Sequence, residues 1–64
     1  MVGQKIRDCR MRCRLSQERL AEKADLSYKY VGEVERGLVN ISLDSLMRIA
    51  KALGVRLRDL VADI

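Results

Sequence analysis

The chain has 64 residues and a formal net charge of +4, and it contains no histidine, proline, phenylalanine or tryptophan. This length suits one domain, placed at residues 1–64, and a domain this small buries only about 60% of the surface that its unfolded chain exposes, which argues against a large catalytic cleft. No apolar run approaches the roughly 20 residues that span a bilayer, and the charged N-terminal segment is unlike a secretion signal, so we expect a cytoplasmic protein without a membrane partner.

The first predicted helix covers residues 3–12 and is the most basic part of the chain. Its region has one acidic residue, Asp8, against five basic ones: Lys5, Arg7, Arg10, Arg12 and Arg14. Two interpretations stay open for these, a solvated helix face or a surface that faces phosphates. Cys9 and Cys13 lie one helical turn apart, but no histidine or third cysteine could complete a tetrahedral zinc site, so we expect no bound metal.

Two short helices joined by a tight turn come next. Ser16 and Ser27 are residue types that cap helix N-termini, which predicts helices over 17–24 and 28–36, and Gly37 provides the left-handed residue that ends the second one. A turn this short matches the helix-turn-helix arrangement, in which the second helix enters the major groove of DNA. A plain hairpin of two helices is the alternative.

Residues 43–53 and 57–62 are predicted to form the last two helices. Ser42 caps the first of them, Leu43 begins its apolar stripe, and Gly54 lies just past its end. The fold class is therefore all-α, with five helices around one core. The expected core residues are Ile6, Cys9, Leu15, Leu20, Ala21, Ala24, Leu26, Val31, Val34, Leu38, Leu46, Ile49, Ala50, Leu53, Val55 and Leu60.

Three segments together resemble one known family. They are L-S-Q-E-R-L-A-E-K-A at 15–24, V-E-R-G at 34–37 and L-M-R-I-A-K-A-L-G-V at 46–55. In this order and spacing they resemble the helix-turn-helix family named for the xenobiotic response element, typified by phage Cro and repressor proteins. The resemblance implies a compact, five-helix, lambda-repressor-like domain with the helix-turn-helix at about 17–36. Y-V-G-E-V-E-R-G followed by N-I-S-L further resembles the controller proteins of restriction–modification systems.

The chain departs from the family pattern at a few positions. Arg14 and Asp25 stand where the family has a glycine with positive φ, and Cys9 stands where a core leucine is usual. Aspartate enters the left-handed conformation at little cost, whereas arginine does so less readily. We therefore expect Asp25 to fit its turn, while Arg14 leaves open how the first helix ends.

The third helix carries the residues expected to read DNA bases. The resemblance implies base contacts from its first two residues and one near its middle, which selects Tyr28, Lys29 and Glu33. Lysine can donate to guanine, glutamate can accept from cytosine, and tyrosine can lie against a thymine methyl group. Alternatively, Lys29 and Glu33 pair with each other on a solvated face. Gly32 costs about 1 kcal/mol relative to alanine, which a close approach to DNA or to another helix would explain.

Phosphate contacts are expected from side chains near helix starts and turns, where backbone N–H groups hold partial positive charge in place. The residues assigned to them are Gln17, Tyr30, Arg36 and Asn40. The resemblance also implies that Arg10 and Glu35 pair across the core, so these two are interpreted as a structural ion pair.

These features predict a sequence-specific regulator of transcription that binds double-stranded DNA as a homodimer on a palindromic operator, without a cofactor or small-molecule ligand. Apolar residues of the C-terminal segment exceed what its short helix can bury, so we expect the dimer interface there. Its expected members are Val55, Leu57, Leu60, Val61 and Ile64. The alternative is an antitoxin-like or protein-interaction module that retains the fold. An enzyme is not expected, because no nucleophile–base pair can be assembled.

Overall fold

The computed structural model describes residues 2–61, and within them the chain forms five α-helices and no β-strand. The helices are α1 Val2–Arg12, α2 Gln17–Ala24, α3 Tyr28–Glu35, α4 Leu43–Leu53 and α5 Leu57–Val61. The predicted all-α fold is confirmed. The third helix ends at Glu35 rather than at the predicted Arg36, and Ala62, the predicted end of the fifth, lies outside the described residues.

Serine hydroxyls start the three central helices. Ser16, Ser27 and Ser42 each have extended backbone angles, and each Oγ accepts a hydrogen bond from the backbone N–H three residues later, at 3.1, 3.0 and 3.1 Å. Each cap satisfies a donor that the helix itself cannot pair, which is typically worth about 1 kcal/mol. Local sequence therefore determines where α2, α3 and α4 begin.

The turns contain four residues in the left-handed conformation. Gly37 and Gly54 have φ of 74° and 72°, and the non-glycine residues Arg14 and Asp25 have φ of 59° and 58°. Arg14 thus takes the conformation of the glycine that it replaces, at a cost of roughly 1–2 kcal/mol. Next to it, the Leu15 N–H donates to the Arg10 carbonyl oxygen at 3.1 Å and closes the end of α1.

The core lies where α2 packs against α3 and α4, and where α1 packs against α3, α4 and α5. Its buried apolar residues, all of them predicted, are Ile6, Cys9, Leu20, Ala21, Ala24, Val31, Val34, Leu46, Ile49, Ala50, Leu53 and Leu60. Leu15, Leu26 and Val55, which were also predicted for the core, are half-buried and pack against it.

Leu38 was wrongly assigned to the core, because its side chain is 65% exposed. It continues the helical spacing of the α3 valines, but α3 ends at Glu35 and the chain turns at Gly37, so the spacing no longer applies. The Leu38 backbone N–H donates to the Glu33 carbonyl oxygen at 2.9 Å and closes the helix end. Leu43, the first residue of the predicted stripe on the fourth helix, is likewise 63% exposed.

Candidate nucleic-acid interface

One side of α3 faces away from the core. Tyr28 is 57% exposed, Lys29 is exposed and Glu33 is half-buried, whereas Val31 and Val34 are buried. Neither Lys29 nor Glu33 takes part in any ion pair among residues 2–61, so the Lys29–Glu33 pairing is not formed in this structure. The charged groups of this side are therefore available to another molecule.

A buried network holds the C-terminal end of α3. The Arg10 Nε and Nη2 atoms donate to Glu35 Oε2 and Oε1 at 2.7 and 3.1 Å, which is a bidentate ion pair between α1 and α3. The two side chains are only 13% and 2% exposed. Arg10 Nη1 also donates to the Leu15 carbonyl oxygen at 2.8 Å. One guanidinium thus connects α1, the turn before α2, and α3.

Gln17, the first residue of α2, belongs to the same network. Its Nε2 donates to Glu35 Oε1 at 3.0 Å, and the side chain is half-buried. Its Oε1 lies above Gly32, where a Cβ built on the glycine would be 3.6 Å away. Because the first N–H groups of a helix have no partner within it, this oriented amide lies beside donors of the kind that bind phosphate.

Gly3 allows α1 to approach the last turn of α3. A Cβ at this position would collide with the Val34 carbonyl oxygen and lie 3.1 Å from that of Glu35. The sequence identifies Gly3 only as the first residue of a predicted helix, which does not reveal this contact. The available signal was a glycine within an amphipathic helix, which often marks a close backbone approach.

The other predicted phosphate contacts have different environments. Arg36 is exposed, and its Nη2 lies 3.9 Å from a Cβ built on Gly32, so its guanidinium returns along α3 to the vicinity of Gln17. Asn40 is exposed and precedes the cap of α4 by two residues. Tyr30 is half-buried against the core. The structure therefore brings Gln17 and Arg36 together, while Asn40 lies at the start of α4.

The C-terminal segment buries most of the apolar surface that we assigned to a dimer interface. Leu60 is fully buried, which is a correction: a side chain without exposed surface belongs to the core and cannot contact another molecule. Val55, Leu57 and Val61 are half-buried and pack against the same core. Ile64 lies outside the described residues.

A different part of the chain exposes apolar side chains. The large ones are Leu38, Val39, Leu43 and Met47, at 65%, 36%, 63% and 54% exposure, and we refer to them as the apolar patch. They lie on the turn after α3 and on the first two turns of α4. The helical spacing of Leu38 and Leu43 predicts that both face inward, so the sequence alone does not reveal the apolar patch.

The two cysteines have separate environments. Cys9 is buried, and its Sγ accepts a hydrogen bond from Arg12 Nη2 at 3.6 Å. Cys13 is exposed, and its Sγ donates to the Leu53 carbonyl oxygen at 3.7 Å. Across the described part of the chain, no cluster of histidine, cysteine or carboxylate side chains is arranged to hold a metal ion. Among the helices of residues 2–61, none has the length and apolar character needed to cross a membrane.

Comparison with known proteins agrees with this geometry. A family model described as helix-turn-helix matches residues 6–60. Control protein C.BamHI from Bacillus amyloliquefaciens is 45% identical over 62 residues, which are 95% of this chain and 76% of that protein. The crystal structure of the restriction–modification controller protein C.AhdI from Aeromonas hydrophila has 44% identity and a TM-score of 0.91, over 92% of this chain and 89% of that one.

A third match is SinR, the master regulator for biofilm formation, whose crystal structure was solved in complex with DNA. It is 34% identical with a TM-score of 0.91, and the match covers 95% of this chain and 98% of that one. The matched proteins are regulators, and the match to the family model includes both residues of the buried ion pair and all of α3. The chain therefore belongs to the helix-turn-helix DNA-binding family typified by phage Cro and repressor proteins.

Proposed function

We propose that this protein regulates transcription by placing α3 in the major groove of double-stranded DNA, as a homodimer on a palindromic operator. The observation that carries the proposal is the outward side of α3, where Tyr28 and Lys29 are exposed and where Lys29 and Glu33 form no ion pair within residues 2–61. Donors and acceptors of this kind can distinguish base pairs in the major groove. Binding of genomic DNA would take place in the cytoplasm.

The surroundings of α3 suit a phosphate backbone on either side of the groove. Gln17 and Arg36 lie together beside Gly32, and Asn40 lies at the start of α4. Hydrogen bonds to phosphate fix the register of a protein on the duplex, and base contacts then determine sequence preference. The net charge of +4 favours association with a polyanion.

Two copies are proposed because a single recognition helix covers only a few base pairs. Family members of this type commonly bind two half-sites about 34 Å, or one helical turn, apart, so that the symmetry of the operator follows that of the dimer. The structural similarity to SinR, which was crystallised with DNA, supports the mode of docking.

Selection of bound duplexes from a random pool tests the proposal. We expect one enriched sequence with two-fold symmetry. The affinity for it should fall steeply with salt, because each neutralised phosphate contributes about −0.9 to the slope of log affinity against log salt concentration. The absence of any enriched sequence, together with a flat salt response, would overturn the proposal.

A protein-interaction module is the second candidate function. The exposed apolar patch and the carboxylate of Glu33 favour it, since exposed apolar surface marks sites of protein contact and a carboxylate is repelled by DNA phosphates. The same selection decides between the two functions, because a module that has lost DNA binding enriches no duplex.

A further inference from the structure

Arg14 holds a backbone conformation that glycine adopts more readily. It lies in the turn between α1 and α2 and has a φ of 59°, in the left-handed region. Its N–H donates to the Met11 carbonyl oxygen at 3.0 Å, and the Leu15 N–H donates to the Arg10 carbonyl oxygen at 3.1 Å. These two bonds form the Schellman motif, in which glycine is the usual residue at the position of Arg14. The turn itself therefore gives no advantage to an arginine.

The side chain of Arg14 is available to another molecule. It is exposed and takes part in no ion pair among residues 2–61. Glu18, the nearest acidic residue along the chain, lies four residues later and forms no ion pair with it. A guanidinium carries a positive charge and five N–H donors, which an anion can accept.

The other basic residues of this region include several with neighbours of their own. Arg10 is held in its buried ion pair. Lys5 and Arg12 line a groove between α1 and α5. Of the five basic residues between positions 5 and 14, Arg14 is the one closest in the chain to Gln17. The structure thus separates one member of this basic group from the rest and puts it beside a proposed phosphate contact.

Arg14 and Gln17 lie within reach of neighbouring phosphates. Three residues separate their positions, and three residues span at most about 11 Å. One strand of a duplex carries a phosphate about every 3.4 Å along the helix axis, so more than one phosphate falls within such a span. The turn is also held in place, because Arg10 Nη1 donates to the Leu15 carbonyl oxygen at 2.8 Å. Binding would therefore order only the Arg14 side chain.

We propose that Arg14 is a further phosphate contact in the DNA complex, on the backbone phosphate next to the one that Gln17 binds. This inference rests on the proposed function and adds to it a residue that precedes the helix-turn-helix. Arginine binds phosphate through short, charge-assisted hydrogen bonds that are often bidentate. Contacts of this kind fix the register of the protein on the duplex and carry no base preference.

The first test compares Arg14→Gly with Arg14→Lys and Lys23→Gln. Glycine suits a φ of 59°, so Arg14→Gly should raise the urea midpoint of unfolding while it removes the charge. Arg14→Lys keeps the charge. Lys23 is exposed near the other end of α2, so Lys23→Gln lowers the net charge equally but far from Gln17. Gel shifts on the selected duplex over a range of salt concentrations measure the affinities.

Arg14→Gly should bind every DNA sequence more weakly although it is the more stable protein. Its slope of log affinity against log salt concentration should be less negative by about 0.9 for each bound copy. The advantage of the wild type should accordingly shrink by about 3.5-fold per bound copy between about 50 and about 200 mM salt. Arg14→Lys and Lys23→Gln should both keep the wild-type slope.

A second measurement locates the contact on the DNA. Neutral methylphosphonate linkages replace the phosphates of the selected site one at a time. The wild type should lose affinity at two adjacent positions, one for Gln17 and one for Arg14. Arg14→Gly should be insensitive at the second position only, and Gln17→Ala at the first only. If Arg14→Gly remained sensitive at both positions, its weaker binding would come from a displaced turn and the proposed contact would be wrong.

Failure of the proposed function gives a different result from failure of this inference. If the wild type bound no duplex, the proposed function would be wrong and the Arg14 contact would be wrong with it. If the wild type bound the selected duplex and Arg14→Gly bound it with the same affinity and the same salt slope, the proposed function would stand and the Arg14 contact alone would be overturned.

Discussion

The two ends of α3 differ in how they are held. At the C-terminal end, the Glu35 carboxylate is 2% exposed and accepts hydrogen bonds from Arg10 and Gln17. At the N-terminal end, Tyr28 is 57% exposed and Lys29 is exposed without an ion pair among the described residues. The C-terminal end therefore fixes the position of the helix, and the N-terminal end leaves its side chains available to bind another molecule.

This division matters because base recognition depends on placement. Side chains that read bases must reach donor and acceptor atoms within hydrogen-bond distance, and a helix that shifts on its own domain cannot do so reproducibly. The Arg10–Glu35 pair and the close approach at Gly3 both fix the position of α3 at its C-terminal end.

The largest effect is expected for Glu35→Ala, at the held end. The substitution leaves the Arg10 guanidinium, only 13% exposed, without its partner, and loss of one member of a buried pair costs about 3–5 kcal/mol. This is a large part of the free energy of unfolding of a small domain. Urea denaturation followed by circular dichroism measures the loss.

The double variant Arg10→Met/Glu35→Leu is the matched control. It removes both charges together, so most of the lost free energy of unfolding should return. If Glu35→Ala lowered the free energy of unfolding by less than about 1 kcal/mol, the Arg10–Glu35 pair would behave like an exposed ion pair and would not fix the position of α3.

The features that the sequence predicted best are local ones. A serine followed by an amphipathic run identifies a helix start within one turn, and the helical spacing of apolar residues identified the buried core residues. The pairing of Arg10 with Glu35 spans 25 residues, and no periodicity reveals it; the resemblance to a family did. Leu38 was misplaced because spacing alone does not show where a helix ends.

The next effect is expected at the available end of α3. Lys29→Ala should lower the affinity for the selected DNA site by about 1–3 kcal/mol and relax the preference at one base pair, because a lysine that donates to guanine is lost. The free energy of unfolding should change by less than about 0.5 kcal/mol, since the side chain is exposed. A gel-shift series with substituted sites measures the preference.

Gln17→Ala provides the contrast to Lys29→Ala. Its amide donates to Glu35 at 3.0 Å, so we expect a loss of about 1 kcal/mol in stability and a similar weakening on every DNA sequence. If Lys29→Ala lowered the affinity for specific and for non-specific DNA equally, the base contact proposed for Lys29 would be wrong. Both ends of α3 would then position the helix on DNA without reading bases.

The candidate interface was less predictable than the fold, for a physical reason. Residue type and helical position indicated that Lys29 and Glu33 would face outward, but only coordinates show that Gln17 and Arg36 meet beside Gly32. The apolar patch was missed for a related reason, since the helical spacing of Leu43 predicted that it faces the core and only coordinates show that it is 63% exposed.

The smallest effect is expected between the two ends, at Gly32. A Cβ there would lie 3.6 Å from Gln17 Oε1 and 3.9 Å from Arg36 Nη2, which are ordinary contacts, so the packing leaves room for alanine. Gly32→Ala should therefore raise the free energy of unfolding by about 0.5–1 kcal/mol, because glycine within a helix is less favourable than alanine. If the glycine serves a close approach of DNA, the same variant should bind the selected site more weakly.

Gly3→Ala is the matched control for Gly32→Ala. The added Cβ would collide with backbone oxygens of α3 that cannot easily move aside, so the Gly3→Ala variant should be less stable than the wild type. Both variants are measured by urea denaturation and by gel shift. If Gly32→Ala lowered the free energy of unfolding, the Gln17 amide would need the space above the glycine. The hydrogen-bond network of Arg10, Gln17 and Glu35 would then extend to the middle of α3. A gain in stability with unchanged DNA affinity would show that DNA does not approach this part of the helix, and would confine the recognition surface to its N-terminal end.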